Sequence, residues 1–121
     1  MLLTARILAG LIAALHLYFF YLESFAWRRV ANKVFGVPKE HVEITAVLAS
    51  NQGLYNALIA GGLVIGALWY QPGLAYAFRV YFLGAVIMAG IWGGITASPR
   101  ILWIQAAPAA VALLITLLSA P

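Results

Sequence analysis

The chain reads as an all-α protein and, within that class, as an antiparallel four-helix transmembrane bundle with both termini on the non-cytoplasmic side. Three observations carry this reading. Of 121 residues, 65% are hydrophobic and only 8% charged, against roughly 25% charged in soluble domains. So much apolar surface on so short a chain calls for lipid as its solvent. The apolar residues also fall into four runs of ~20 residues or more, each enough to cross ~30 Å of hydrocarbon at 1.5 Å per residue. Finally, Lys and Arg gather at the ends of those runs instead of forming one patch.

The first run covers residues 5–27. Its start carries only Arg6, the apolar stretch is long, and no small-x-small site follows, so it reads as a retained helix and not a cleaved signal peptide. Arg28, Arg29 and Lys33 then open a loop that lasts to Glu43. The second run spans residues 44–70, and no charge occurs between Glu43 and Arg79. Gln71, Pro72 and Gly73 supply a turn, since Pro fixes φ and Gly permits positive φ. The third run covers residues 76–97, and Ser98-Pro99 places a proline in the first turn of the fourth, residues 101–120. Pro108 lies inside that last helix and should kink it. Residues 1–121 form a single integral membrane domain on this reading, without repeats.

Loop charge sets the orientation. Arg28, Arg29, Lys33, Lys39 and Arg100 lie on one side, with Arg6 and Arg79 on the other. The positive-inside bias therefore puts the long loop in the cytoplasm, with Trp27 and Trp103 in the cytoplasmic aromatic belt. The location expected is the cytoplasmic (inner) membrane of a bacterium, and the first partner is the lipid bilayer. The net charge of +4 is explained by membrane anchoring, so no nucleic-acid partner is expected.

Glu23 is the sharpest pointer to function. An ionisable residue within a membrane helix normally faces a bundle interior or a wet cavity. It lies about 7 Å inside the boundary marked by Arg28. In the four-span reading Asn51, Gln52, Gln105 and Trp92 fall at similar depth, with His16 and Asn56 deeper. His16 and Glu23, seven apart, share a helix face, as do Gln52 and Asn56 four apart. The expectation is an intramembrane polar pocket in which Glu23 and His16 are acid and base. Asn51, Gln52, Tyr55, Asn56, Trp92 and Gln105 would bind the ligand. Plainer roles stand beside each. The amides serve equally as glue between helices, Glu23 as an ion-pair partner of Arg28 or Arg29, and His16 as a packing residue.

Other chemistries are excluded by residue type. There is no Cys and no Asp, which removes disulfides, thiolate sites and most two-carboxylate designs. One intramembrane His cannot ligate a haem from both sides or build a di-metal centre, and no metal site is expected. No cofactor is named by any motif, and neither a nucleophile elbow nor a phosphate-cradling Gly loop occurs. Gly62-x-x-x-Gly66 and Gly90-x-x-x-Gly94 read as close helix contacts. Small-residue faces too numerous for one interior point to a homo-oligomer. Three functional classes stay open: a pocket that binds or transforms a small apolar or amphipathic (lipophilic) molecule, a structural or regulatory subunit, and an oligomeric proton- or cation-coupled transporter. General acid/base work suits the carboxyl–imidazole pair if the first is right.

Several segments carry a family resemblance. They are Asn51-Gln52-Gly53-Leu54-Tyr55-Asn56, His16-Leu17-Tyr18-Phe19-Phe20-Tyr21-Leu22-Glu23 and Phe35-Gly36. The run from Tyr81 to Ile91 and Ile104-Gln105-Ala106-Ala107-Pro108 join them. Together they resemble the bacterial membrane proteins of domain-of-unknown-function family 1304, over nearly the whole chain. The resemblance implies a small four-helix integral membrane protein and brings no activity. A fainter likeness is to the membrane glutathione transferases and eicosanoid-metabolising proteins, which share the expected topology and an Asn early in the second helix. The glutamate those proteins carry after that Asn is missing here, where Tyr55 and Asn56 stand, so the likeness rests on fold alone.

Overall fold

The computed structural model describes all residues, 1–121, and all regular structure in it is helical. There are five helices: α1 Leu2–Ser24, α2 Trp27–Phe35, α3 Val42–Leu68, α4 Pro72–Thr96 and α5 Pro99–Leu118. A 3-10 turn, Lys39–His41, precedes α3.

Three of these helices, not four, are long and apolar enough to cross a membrane: α1, α4 and α5. The expected four-span bundle is corrected accordingly. With 27 residues, α3 has the length. What it lacks is uniform apolarity, because Glu43, Thr45, Ser50, Asn51, Gln52 and Asn56 crowd its first half. The placement of both termini outside the cytoplasm falls with the count, since it requires an even number of crossings. Membrane association itself stands. Only 28, 28 and 22% of the most apolar windows of α1, α4 and α5 are buried within the protein, so most of each helix presents apolar side chains that need lipid.

The chain divides into two compact units. One comprises Met1–Ala13 with Gly61–Pro121, the other Ala14–Ala60. The first is built on small residues. Ala5, Ala9, Ile12 and Ala13 form the buried stripe of α1, and Ala75, Arg79, Leu83, Val86 and Gly90 that of α4, both at helical spacing. On α5 the stripe is Ala106, Ala109, Ala112 and Thr116. Helices α4 and α5 approach until a Cβ on Gly90 would lie 2.7 Å from the Ala106 nitrogen, and one on Gly94 3.1 Å from Leu102 Cβ. Only glycine tolerates that separation.

Local chemistry accounts for the helix ends. Gln71-Pro72-Gly73 is less a turn than a helix start, with Pro72 as the first residue of α4 after Gln71, where its missing N–H is no loss. Ser98 caps α5, its Oγ accepting from the Arg100 N–H at 3.4 Å. Pro108 does not simply kink α5. It follows a π-helical turn over Leu102–Ala106, in which the Ala107 N–H reaches back to the Leu102 carbonyl. The wider turn is how the helix accommodates a proline ring that would otherwise press on a carbonyl four residues earlier.

In the second unit the first apolar run stops short of Trp27. The chain turns at Phe25 and Ala26, both of whose N–H groups return to the Tyr21 carbonyl. It then forms α2, where the run of charges in the sequence predicts a loop. This helix is amphipathic, with Trp27, Ala31 and Val34 on one side and Arg28, Arg29 and Lys33 distributed over the rest. Gly36 ends it at φ 69°, a left-handed position suited to glycine, and the Val37 N–H closes onto the Ala31 carbonyl at 3.1 Å.

Candidate functional site

The polar groups of the second unit meet where α1 and α3 come closest. Gly53 sets that distance, for a Cβ there would overlap Ser24 Oγ and stand 3.2 Å from both Glu23 Cβ and the Phe20 carbonyl oxygen. Close approach lets short side chains bridge the helices. Ser24 Oγ donates to the Ser50 carbonyl at 2.9 Å. Six residues further along α3, Asn56 Nδ2 donates to Glu23 Oε1 at 3.2 Å, with both residues buried. A buried carboxyl normally demands such a donor.

The two arginines that follow Glu23 in sequence bond to other groups. Arg28 forms a two-pronged pair with Glu43, Nε to Oε2 at 2.8 Å and Nη2 to Oε1 at 2.7 Å. Arg29 donates to the Tyr21 hydroxyl at 2.8 Å. The Arg28 guanidinium, which both bonds and attracts it, holds the Glu43 carboxyl below its ordinary value, and Arg28 is raised in turn. Trp27 Nε1 ties α2 to α3 by donating to the Val42 carbonyl at 3.2 Å and to Thr45 Oγ1 at 3.1 Å.

These contacts border an open groove of about 710 Å³. Glu23, Ser24, Trp27, Ser50, Asn51 and Leu54 are among its walls, which mix polar and apolar groups. Of the residues expected from sequence, the groove gathers Glu23 and Asn51. Asn56 stands behind Glu23 as its donor. Gln52 and Tyr55 are exposed on α3 and are not groove walls. His16 is buried, its ring meeting the edge of Phe19 with centroids 5.7 Å apart. Seven residues of helix put it about 10 Å along the axis from Glu23. Gln105 and Trp92 belong to the first unit, with Gln105 in the π turn of α5 and Trp92 70% exposed on α4. A common depth for them requires four spans, and only three helices are long and apolar enough to cross.

Ser24, Trp27, Ser50 and Leu54 were missed by sequence reasoning. A signal for three of the α3 wall residues was present: Ala46, Ser50 and Leu54 recur every four residues, one face of a helix. Nothing comparable marked Trp27, whose position depends on the turn at Phe25 and Ala26.

An all-helical, membrane-associated protein with a buried Glu–Asn pair is the class that fold and site define. The chain belongs to the DUF1304 family, whose model, described as a protein of unknown function, matches residues 10–117. A relative, the "Uncharacterized protein YpaA" of Lactococcus lactis subsp. lactis (strain IL1403), is 32% identical over 111 residues, covering 89% of this chain and 92% of its own. No solved structure matches.

Proposed function

We propose that this is an integral protein of the bacterial cytoplasmic membrane that binds a small amphipathic molecule in the groove between α1, α2 and the first half of α3. The observation that carries the reading is Glu23, buried yet bordering the groove and held by the Asn56 amide. A carboxyl has about four acceptor positions. Asn56 supplies one donor, which leaves Glu23 suited to a ligand head that carries an amine or hydroxyl. Trp27, Phe25, Val47 and Leu54 offer apolar wall to the remainder of such a molecule. Asn51, also in the wall, adds an amide that orients the head.

Tyr55, Gln52 and His16 enter this proposal as neighbours that shape α1 and α3, with Glu23 as the residue that meets the ligand. Gly10, Gly61 and Gly84 have open space around them, which supports a homo-oligomer formed through small-residue faces. Native mass spectrometry in mild detergent checks both points. The expected spectrum shows a multiple of the chain mass carrying a small adduct, and Glu23→Gln loses the adduct while keeping the assembly. Bare monomer in every mild detergent ends the oligomer. Equal adduct occupancy in wild type and Glu23→Gln ends the role given to the carboxyl.

A further inference from the structure

The first unit holds a second polar cluster with the opposite charge. Arg79 is the largest fully buried side chain in the protein, 1% exposed. Its Nη1 donates to the Gly66 carbonyl at 2.5 Å. Gly66 makes room for it, since a Cβ there would lie 2.8 Å from Arg79 Cγ. Arg6 Nη2 donates to the Trp69 carbonyl at 3.4 Å, and Trp69 comes three residues after Gly66, so the two guanidinium groups bond to neighbouring carbonyls at the end of α3. In both guanidinium groups the Nε is sealed from solvent and has no acceptor.

No carboxylate forms an ion pair with either guanidinium. The three glutamates are Glu23, Glu40 and Glu43, all within residues 14–60, and the one ion pair in the structure is Arg28 with Glu43. Arg79, buried, and Arg6, half-buried, are bonded only to neutral carbonyls, so the buried charge lacks the counter-charge that burial requires. The surroundings indicate where it comes from. Arg6 lies one turn into α1 and Arg79 two turns into α4, close to helix ends. Trp69, whose carbonyl accepts from Arg6, and Tyr70 are stacked and exposed, as aromatic residues are at headgroup level.

We propose that Arg6 and Arg79 form an oxyanion site that takes a phosphate group. Arginine is the side chain best matched to that geometry, through parallel N–H bonds to two oxygens. The phosphodiester of a phospholipid headgroup and free phosphate share this chemistry.

The test follows tryptophan-fluorescence melting of the full chain in neutral detergent at constant ionic strength. Dioleoylphosphatidylglycerol, dioleoylphosphatidylcholine or sodium phosphate is titrated in. A ligand that binds only the folded state raises Tm saturably. Wild type should show such a rise, and Arg6→Gln should need at least tenfold more of the same ligand. Arg29→Gln, which alters the basic helix α2, should leave the midpoint unchanged. A response to the lipids alone assigns the site to headgroups, and an equal response to sodium phosphate assigns it to the free anion. Arg79→Gln should behave as Arg6→Gln; if it does not fold, half-buried Arg6 decides. No saturable rise in any arm, an Arg6→Gln midpoint equal to wild type, or loss in Arg29→Gln alone overturns the proposal.

Discussion

The two units solve the problem of polar atoms among apolar ones in opposite ways. In residues 14–60 the chain supplies both partners: Glu23 has Asn56, Arg28 has Glu43, and Trp27 has Thr45 and the Val42 carbonyl. In residues 1–13 and 61–121 it supplies glycine and alanine instead, and the guanidinium groups of buried Arg79 and half-buried Arg6 keep unsatisfied Nε atoms. Cohesion is thus electrostatic and directional in one unit, steric in the other. The difference shows why the polar residues of a membrane chain need separate accounts. Some are internal fasteners, while others are complete only when something outside the chain meets them.

The comparison is most easily broken through sterics. Gly90→Val should be the most damaging single change, because its Cβ meets the Ala106 backbone and not a movable side chain. Overpacking of that kind costs about 3 kcal/mol, to be read as a fall in melting temperature in detergent. In the polar unit the largest effect should come from Asn56→Leu, which leaves the buried Glu23 carboxyl without its donor. A loss of about 2 kcal/mol is expected, whereas Glu23→Gln keeps a hydrogen-bonding partner for Asn56 and should melt close to wild type. Thr45→Val should cost about 1 kcal/mol, since Trp27 retains the Val42 carbonyl; a blue-shifted tryptophan emission is not expected.

The smallest effect concerns the exposed Arg28–Glu43 pair. Glu43 is depressed in the folded protein by Arg28. Its contribution is therefore present above the unfolded carboxyl value of about 4.3 and disappears as pH falls through the lower folded value. Wild type and Glu43→Gln should differ slightly in melting temperature at pH 7 and converge in acid. Added salt should shrink the difference at pH 7, as expected for an exposed pair.

Sequence alone made the helical class legible, because runs of ~20 apolar residues leave few alternatives. It overcounted the crossings at α3, where Asn51, Gln52 and Asn56 were read as polar inclusions within a span. The same residues take the helix out of the apolar class. Helix α2 was hidden because nine residues with three cations look like a charged loop until the aromatic and aliphatic positions are placed at helical spacing. Glu23 and Asn51, which line the groove, were visible as candidates by their polarity in an apolar chain. Ser24 and Trp27 were not, since a serine and an interfacial tryptophan are ordinary at a helix end. Arg79 was legible as a charge but not as a buried one, for its burial depends on Gly66 yielding space.

The most direct measurement is photocrosslinking with a diazirine-bearing long-chain amine, followed by peptide mapping of the labelled full-length chain. If the groove binds an amphipathic molecule through Glu23, adducts concentrate on Trp27, Val47, Asn51 and Leu54, and Glu23→Gln removes them. Labelling spread along the exposed faces of α1, α4 and α5, equal in wild type and Glu23→Gln, would contradict the account.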